Sequence, residues 1–244
     1  MAGTSNIQDP DLRQKVDRVF VSLEPALRQQ AERDLGELLR EGASSIPAMA
    51  ALLSEATRSV AARLAGCWWL GRLGDSRAIQ SLLEALERGE DEAVSFEAAK
   101  SLISLDITAA EPVLIRVLLS EGMAPARLAA AYALGYARSK AAPAALRSVL
   151  ESHIESESLR GQAAESLGLL VATDSFPVLL EGLHDGSPEV RFWSAYALGR
   201  LGNREAIPAL AKLAASDHAQ VAGWWEVSRE AADAIESIKS SQGP

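Results

Sequence analysis

Apolar side chains along this chain fall at helical spacing, and one pattern of apolar, small and polar positions occurs seven times. The copies begin at Arg28, Arg63, Ser95, Arg127, Arg160, Arg191 and Ser228. The distance between starts ranges from 31 residues (Arg160 to Arg191) to 37 residues (Arg191 to Ser228). A nearly constant period of this length is typical of repeat proteins, in which each copy forms one supersecondary unit.

Three columns of the repeat predict the buried face of a helix. The fourth position of every copy is small, and the eleventh is apolar. The eighth position is always a large aliphatic residue: Leu35, Leu70, Leu102, Leu134, Leu167, Leu198 and Ile235. Because these positions differ by four and three residues, they lie on one helix face, where the small residues allow a neighbouring helix to approach closely.

Glycine and proline mark the end of this helix and the start of a second one. The ninth position is glycine in most copies: Gly36, Gly71, Gly135, Gly168 and Gly199. We expect the glycine either to make room for a crossing helix or to ease the exit from its own. A second apolar segment then opens at Ile46-Pro47, Glu111-Pro112, Ala142-Pro143, Phe176-Pro177 and Ile207-Pro208. Proline suits a first helical turn, where its missing N–H costs nothing.

Each copy is therefore predicted to be a helical hairpin that cannot bury its apolar stripe alone, so the copies must stack. The predicted fold is all-α, a right-handed α-solenoid of about six antiparallel helix pairs with a capping helix at each end. We expect one domain over 1–244, with an N-terminal cap in 1–23, a C-terminal capping helix in 217–239 and a tail in 240–244. Repeats are predicted to start near residues 24, 59, 92, 124, 157 and 188.

Two stretches carry a resemblance to a known repeat family. They are V-R-F-W-S-A-Y-A-L-G-R-L-G-N-R-E-A-I-P-A-L from Val190 and R-L-A-G-C-W-W-L-G-R-L-G-D-S-R-A-I from Arg63. Both resemble the short HEAT-like repeats named after phycobilisome (PBS) lyases, and the resemblance covers residues 28–238. It implies an armadillo-type α-solenoid. It implies little about activity, because such repeats occur in many unrelated proteins.

Composition and charge narrow the class of protein. The chain is 48% hydrophobic and 23% charged, and its net charge is −9. An acidic chain is a poor nucleic-acid binder, because phosphate neutralisation needs clustered Lys and Arg. No apolar run approaches the ~18 residues of a membrane span, and the N-terminus lacks a secretory signal pattern. The single cysteine, Cys67, fits a reducing compartment. We expect a cytoplasmic protein that binds neither nucleic acid nor membrane.

Candidate chemistry is sparse. Cys67 occupies a column of small residues, so we interpret it as a packing thiol rather than a nucleophile. The resemblance extends to iron hydroxylases, which place His-Glu dipeptides on their helices. Here His153, His184 and His218 each stand alone between repeats, and none precedes a glutamate. We therefore predict no catalytic residue, no metal site and no cofactor.

Charges follow the repeat as well. We expect the arginines of the first position to pair with acids near the preceding turn, such as Asp185 and Glu189 before Arg191. Acids also outnumber bases in the segments between hairpins, for example around Glu90. Because these segments recur once per repeat, they form one acidic edge. The edge either keeps the protein in solution or steers a basic partner.

Aromatic residues supply the candidate interaction site. The sixth position is predicted to point away from the core, and in alternate copies it holds Trp68, Tyr132 and Tyr196. Trp193 borders the same region. Such a row either anchors a partner, because Trp and Tyr bury much area at low entropic cost, or folds over small residues of a neighbouring repeat and seals the stack.

A second aromatic feature is the pair Trp224 and Trp225. It lies in A-G-W-W-E-V-S, within the extra residues that lengthen the last spacing to 37. An inserted segment with two indoles either covers the apolar end of the repeat array or contacts a partner or a second copy. We include both tryptophans among the candidate interaction residues.

Together these observations predict a non-enzymatic protein–protein interaction scaffold or adaptor. Its partner is expected to be another protein, with a basic surface facing the acidic edge, and self-association is left open. The family resemblance keeps two enzymatic alternatives. One is a bilin-lyase-like or chromophore-handling protein, and the other is a metal-dependent hydroxylase, which the missing His-Glu motifs disfavour.

Overall fold

The computed structural model describes residues 42–54 and 60–241, and most of these residues are helical. The α-helices in these ranges are α1 (Ile46–Ser54), α2 (Val60–Leu73), α3 (Ile79–Arg88), α4 (Glu92–Ile103), α5 (Glu111–Leu119), α6 (Ala124–Tyr136), α7 (Pro143–Glu151), α8 (Glu157–Leu169), α9 (Phe176–Gly182), α10 (Pro188–Leu201), α11 (Ile207–Ser216) and α12 (Val227–Ser240). Short 3-10 helices are Gly42–Ser45, Ser76–Ala78, Ile107–Ala109, Thr173–Ser175 and Arg204–Ala206. The described residues contain no β-strand, so the all-α fold class is confirmed.

Helix starts follow the predicted signals. Every proline-opened segment begins a second helix of a hairpin, namely α1, α5, α7, α9 and α11. Two first helices begin with side-chain caps, because Asp91 accepts a hydrogen bond from the Val94 N–H and Ser156 accepts one from the Leu159 N–H. The last helix begins only at Val227, after a loop, rather than at residue 217. The predicted N-terminal cap and the first half of the first hairpin lie outside the described residues.

The helices group into two compact units. Unit 1 holds residues 1–113 and 121–129, and its described helices are α1 to α4 with the beginnings of α5 and α6. Unit 2 holds residues 114–120 and 130–244, with the remainders of α5 and α6 and helices α7 to α12. In unit 1, α4 packs on α2 and α3. In unit 2, α10 packs on α8, α9 and α12, and α12 also packs on α11. First helices thus lie beside first helices, as predicted for stacked hairpins. The single domain over 1–244 stays a prediction.

The predicted leucine column forms the centre of the core. Leu70, Leu102, Leu134, Leu167 and Leu198 are all 0% exposed. The small residues of the fourth position are buried as well, from Gly66 to Ala231. Full burial of a leucine side chain contributes about 1.5–3 kcal/mol relative to an exposed one, so each residue of this column adds substantially to stability.

The glycine column marks the closest approaches between first helices. A Cβ atom on Gly168 would lie 2.7 Å from the Ala197 Cα, and one on Gly199 would lie 2.9 Å from the Ala234 Cα. Neither glycine has a positive φ angle. Of the two expected roles, the one found is therefore room for the neighbouring helix rather than relief at a helix end.

Arginines at the first repeat position pair with acids of the segment that follows their own hairpin. The pairs are Arg63 with Glu90 at 3.0 Å, Arg160 with Asp185, and Arg191 with Asp217 at 2.6 Å. The side chains of Arg160 and Asp185 are each 7% exposed, so this pair is buried. Burial alone would raise the pKa of Asp185, but hydrogen bonds from Arg160 and from the Ser187 N–H lower it below its usual value.

The expected direction of this pairing is wrong. The turn before Arg191 provides only backbone acceptors, the carbonyl oxygens of Asp185 at 2.8 Å and Gly186 at 3.1 Å. The carboxylate comes from Asp217, one repeat later. Consecutive first helices run side by side, so the segment that enters the next one lies next to the first turn of its predecessor. Glu189 accepts a hydrogen bond from Ser158 instead.

Candidate protein-interaction surface

An aromatic cluster joins α10, α12 and the loop between α11 and α12 in unit 2. The ring of Trp224 lies 5.1 Å from that of Trp193 and 5.7 Å from that of Trp225, with both pairs close to perpendicular. The ring of Phe192 lies 5.1 Å from Trp193 and 6.0 Å from each loop indole. Tyr196 meets Trp193 edge to face at 5.6 Å. Such geometries contribute about 0.5–1.5 kcal/mol per aromatic pair beyond burial.

The cluster continues toward α8 and α6 through tyrosines. The ring of Tyr196 packs beside Gly168 of α8, because a Cβ there would lie 3.4 Å from its Cδ1. One turn before Gly168, Glu165 accepts a 2.9 Å hydrogen bond from the hydroxyl of Tyr136. Tyr136 in turn stacks on Tyr132 at 4.3 Å. We call the whole surface the aromatic strip, defined as Tyr132, Tyr136, Glu165, Trp193, Tyr196, Trp224, Trp225 and Glu230.

Hydrogen bonds hold the loop that carries Trp224. The Val227 N–H donates to the Ala219 carbonyl at 3.1 Å, and the Trp224 N–H donates to the Val221 carbonyl at 2.9 Å. Gly223, just before the indole, has a φ of +80°, which a side chain would disfavour. Trp224 is 49% exposed. A bulky aromatic residue is thus presented to solvent on an ordered loop.

Trp225 faces the protein. Its Nε1–H donates a 3.0 Å hydrogen bond to Glu230, and the guanidinium of Arg229 lies 5.0 Å from its ring centre. The two loop indoles therefore contact the N-terminal parts of α10 and α12. Trp225 seals this region, while Trp224 remains exposed, so each of the roles expected for the pair has one residue that fits it.

The sequence-predicted residues fall in different environments. Trp68 is 44% exposed and lies in unit 1, whereas Tyr132 and Tyr196 are half-buried in unit 2. Trp193 is only 8% exposed, because it packs beneath Trp224 and beside Gly161 of α8. The grouping of Trp193 with exposed aromatic residues is therefore wrong, and its ring packs against that of Trp224.

The prediction that the sixth position points away from the core is wrong at one residue. Glu165 occupies that position and is 9% exposed. The hydroxyl of Tyr136 and the amide of Gln162, which donates at 2.7 Å, cover its carboxylate. Burial raises the pKa of Glu165 more than these two hydrogen bonds lower it.

Glu230 is the second buried carboxylate of the strip, and sequence reasoning missed it. It is 6% exposed, and among the described residues its one hydrogen-bond donor is neutral, the indole of Trp225. Burial raises its pKa to about 7, the Trp225 hydrogen bond opposes this, and the nearby Asp233 adds to it. Its position on α12, five residues after Trp225, was the available signal.

Replacing Glu230 with glutamine is expected to stabilise the protein at pH 8 and not at pH 4.5. A carboxyl group whose folded pKa is raised to about 7 binds more protons folded than unfolded. Stability therefore falls as pH rises from about 4.5 to about 7, and the full penalty is up to about 3 kcal/mol. Glutamine still accepts the Trp225 N–H and carries no charge. Urea unfolding at the two pH values measures the difference, and an equal gain at both would contradict the assignment.

Two histidines, expected to stand alone, lie on one pocket in unit 2. His153 and His184 line a cavity of about 190 Å³ with Glu151, Glu181 and Asp185. Their separation of 31 residues equals the local repeat period, which was the missed signal. Across residues 42–54 and 60–241, no three His, Cys, Asp or Glu side chains are grouped as metal ligands.

Unit 1 has its own aromatic surface and the lone cysteine. The guanidinium of Arg72 lies 5.7 Å from the ring centre of Trp68, beside an open groove of about 390 Å³ that Lys100 also lines. Cys67 is 0% exposed, and burial raises its pKa to about 12. A thiol that stays protonated is a weak nucleophile, which agrees with its interpretation as a packing residue. No helix of the described part of the chain has the length and apolarity needed to cross a bilayer.

Comparisons with known proteins fit the repeat geometry. A family model described as HEAT repeats matches residues 12–103 and 153–228, and one described as PBS lyase HEAT-like repeat matches residues 126–152. No curated protein sequence matches the chain.

Three solved structures illustrate the structural similarity. Kap95p in its complex with RanGDP is 12% identical, with 96% of this chain and 41% of that chain covered and a TM-score of 0.65. The archaeal HEAT-like repeats protein from Thermococcus onnurineus is 14% identical, with 98% and 99% covered and a TM-score of 0.57. The CpcE–CpcF complex of phycocyanin lyase from a Nostoc species is 20% identical, with 95% and 88% covered and a TM-score of 0.47. At these identities the likeness concerns the fold alone.

Proposed function

Because the chain belongs to the HEAT-repeat family, we propose that it is a non-enzymatic scaffold that binds another protein through the aromatic strip of unit 2. One observation carries this proposal: Trp224 is 49% exposed on a hydrogen-bonded loop and is supported from below by other aromatic rings. Tryptophan is one of the residue types enriched at the hot spots of protein interfaces.

Preorganisation strengthens this argument. An interface side chain that must be immobilised on binding costs about 0.5–1.5 kcal/mol of conformational entropy. Trp224 is already held between Trp193 and Trp225 in near-perpendicular contacts. Much of that cost is therefore met during folding, and the exposed half of the indole is available as an anchor.

Charge supports a partner with a basic surface. The chain carries a net charge of −9. The arginine pairs neutralise only some of the acids between hairpins. Glu151, Glu157 and Glu181 are exposed, and within the described ranges none of them forms an ion pair. Uncompensated charge of one sign accelerates the encounter with an oppositely charged partner and makes it depend on ionic strength.

Trp224→Ser is expected to weaken partner binding about 30-fold, which corresponds to about 2 kcal/mol for an anchoring indole. Immobilised wild-type and variant proteins are exposed to native lysate, and retained proteins are quantified by mass spectrometry. A protein that depends on Trp224 is then purified, and its Kd is measured against both forms.

The matched control is Ile154→Ser, because Ile154 is 96% exposed in the same unit and lies outside the strip. It should bind the purified partner like the wild type. If no retained protein distinguishes Trp224→Ser from Ile154→Ser, the strip is not the docking surface and the proposal fails.

A second candidate, handling of a bilin chromophore, is favoured by the match of residues 126–152 to the PBS lyase HEAT-like repeat. The two candidates differ in one spectroscopic property. A bilin-handling protein alters the visible absorption of a free linear tetrapyrrole on mixing, and a protein-binding scaffold leaves it unchanged.

A further inference from the structure

Glu230 is a buried carboxylate with an unused acceptor. Its Oε2 accepts from Trp225, and within the described residues its Oε1 has no hydrogen-bond donor. This oxygen is not fully closed off from solvent. A carboxylate that is 6% exposed and keeps one free oxygen toward solvent is set up to accept a donor from outside the chain.

Among the residues that the structure describes, no cation forms an ion pair with this carboxylate. The charged groups close to it on α12 are Arg229 and Asp233, and on α10 the phenol of Tyr196 lies within its electrostatic reach. Arg229 places its guanidinium over the Trp225 ring and 4.0 Å from Asp233. Arg229 lowers the pKa of Glu230 through its charge but donates no hydrogen bond to its carboxylate, so the position beside Oε1 is left for a ligand to fill.

The rings around Glu230 have the geometry that accepts a guanidinium group. The guanidinium of Arg229 lies 5.0 Å from the ring centre of Trp225, next to Glu230, and Arg72 makes the same kind of contact with Trp68 in unit 1 at 5.7 Å. Trp224 lies 5.7 Å from Trp225 and, within the described residues, has no arginine over its ring. Trp225 thus connects the two parts of the site, because its ring contacts the exposed indole of Trp224 and its N–H donates to the Glu230 carboxylate.

We propose that the Trp224–Glu230 end of the aromatic strip binds an arginine side chain of the partner, with its guanidinium stacked on Trp224 and donating to Glu230 Oε1. This inference rests on the proposed function and identifies the partner's contact residue. Arginine fits better than lysine, because a planar guanidinium stacks on an indole and donates from several fixed N–H groups at once.

Binding of arginine at this site should depend on pH, because it is coupled to the protonation of Glu230. The carboxylate form of Glu230 is the one that pairs with a cation, and burial raises its pKa to about 7 in the free protein. An arginine ligand must therefore bind more tightly as pH rises through that value, because at lower pH the ligand has to displace a proton. A contact made only by stacking on Trp224 has no such pH dependence.

The probe is a synthetic heptapeptide, acetyl-Gly-Ser-Leu-Arg-Leu-Ser-Gly-amide, with a twin in which citrulline replaces arginine. Citrulline keeps the planar shape and lacks the charge. Binding is followed by tryptophan fluorescence at pH 6 and pH 8. We expect the arginine peptide to bind the wild type at least about 10-fold more tightly than its twin at pH 8, and the advantage to shrink at pH 6.

Variants of two acids on α12 test whether Glu230 causes the difference in affinity between the two peptides. Glu230→Gln should remove both the discrimination between the peptides and its pH dependence. Asp233→Asn removes the same charge from an exposed position one turn away and should retain both. Equal binding of the two peptides, no binding of either up to about 1 mM, or equal losses in the two variants would overturn the inference.

Two results distinguish a wrong arginine contact from a wrong scaffold proposal. If a purified partner loses affinity with Trp224→Ser but binds Glu230→Gln as tightly as the wild type, the strip is a docking surface and the arginine contact is wrong. If Trp224→Ser changes no partner's affinity, the scaffold proposal itself is wrong.

Discussion

Replacing Arg160 with methionine is expected to lower the free energy of unfolding by about 3–5 kcal/mol at pH 7, the usual cost of breaking a buried ion pair from one side. Both side chains of the Arg160–Asp185 pair are 7% exposed. Methionine fills much of the volume of the arginine stem but leaves the Asp185 carboxylate without its cation. Urea unfolding of the two proteins, monitored by far-UV circular dichroism, measures the change.

The pH dependence of this loss has a definite sign. In the wild type the pKa of Asp185 is lowered, so its stabilising contribution is present above the unfolded pKa near 4 and is lost as pH falls through the folded value. In the variant, burial still acts to raise the pKa of Asp185 and Arg160 no longer opposes it, so we expect the penalty to grow as pH rises. The difference between the two proteins should therefore be largest at neutral pH and small near pH 4.

Arg77→Met is the matched control. Arg77 pairs with Asp75 at 2.7 Å, but its side chain is 64% exposed. Water screens an exposed pair, so its contribution to stability is small and this variant should unfold at nearly the same urea concentration as the wild type. A cost for Arg160→Met no larger than for Arg77→Met would show that the buried pair does not hold neighbouring repeats together.

The fold could be predicted because its determinants repeat within each helix. The leucine column from Leu70 to Leu198 and the glycine column from Gly71 to Gly199 depend only on spacing along one helix. A residue's face on its own helix follows from the 3.6-residue period. Burial at the eighth position and the proline-opened helix starts were therefore predicted correctly. For the ninth position the sequence left two roles open, and close approach is the one found.

The site could be predicted only in part, because its properties depend on neighbouring helices. Glu165 occupies the sixth position, which was predicted to point outward, and Trp193 borders that region. A loop indole nevertheless covers Trp193, and a tyrosine of the preceding first helix covers Glu165. The pairing of Arg191 with Asp217 likewise depends on which segment lies beside its first turn. Periodicity predicts which face of its helix a side chain occupies, but not which neighbouring residues lie against that face.

The loop between α11 and α12, which carries Trp224 and Trp225, shows the same limit of prediction from sequence. Its length was visible as a 37-residue spacing, and its two tryptophans were predicted as candidate interaction residues. What the sequence did not indicate is that Glu230 lies beneath Trp225 and keeps one oxygen open to solvent. That arrangement requires the loop to fold back on α10 and α12, and a loop without a repeat period carries no pattern that predicts its path.

Adding one methyl group at Gly168 is expected to destabilise the protein by about 3 kcal/mol, at the upper end of the usual cost of overpacking. The new Cβ would lie 2.7 Å from the Ala197 Cα and 3.0 Å from the Ala197 Cβ. The nearer atom is backbone and cannot rotate away, so α8 and α10 must separate. Alanine favours a helix over glycine by up to about 1 kcal/mol, and the clash exceeds that gain.

The same chemical change at Gly186 isolates the clash. A Cβ there meets no atom within 4 Å, and the residue has no positive φ angle. Gly186→Ala should therefore leave stability within about 0.5 kcal/mol of the wild type or raise it slightly by restricting the unfolded chain. Thermal unfolding of both variants provides the comparison. Equal stability of Gly168→Ala and Gly186→Ala would mean that the glycine column does not set the distance between first helices, and the explanation of the repeat's most regular glycine would fail with it.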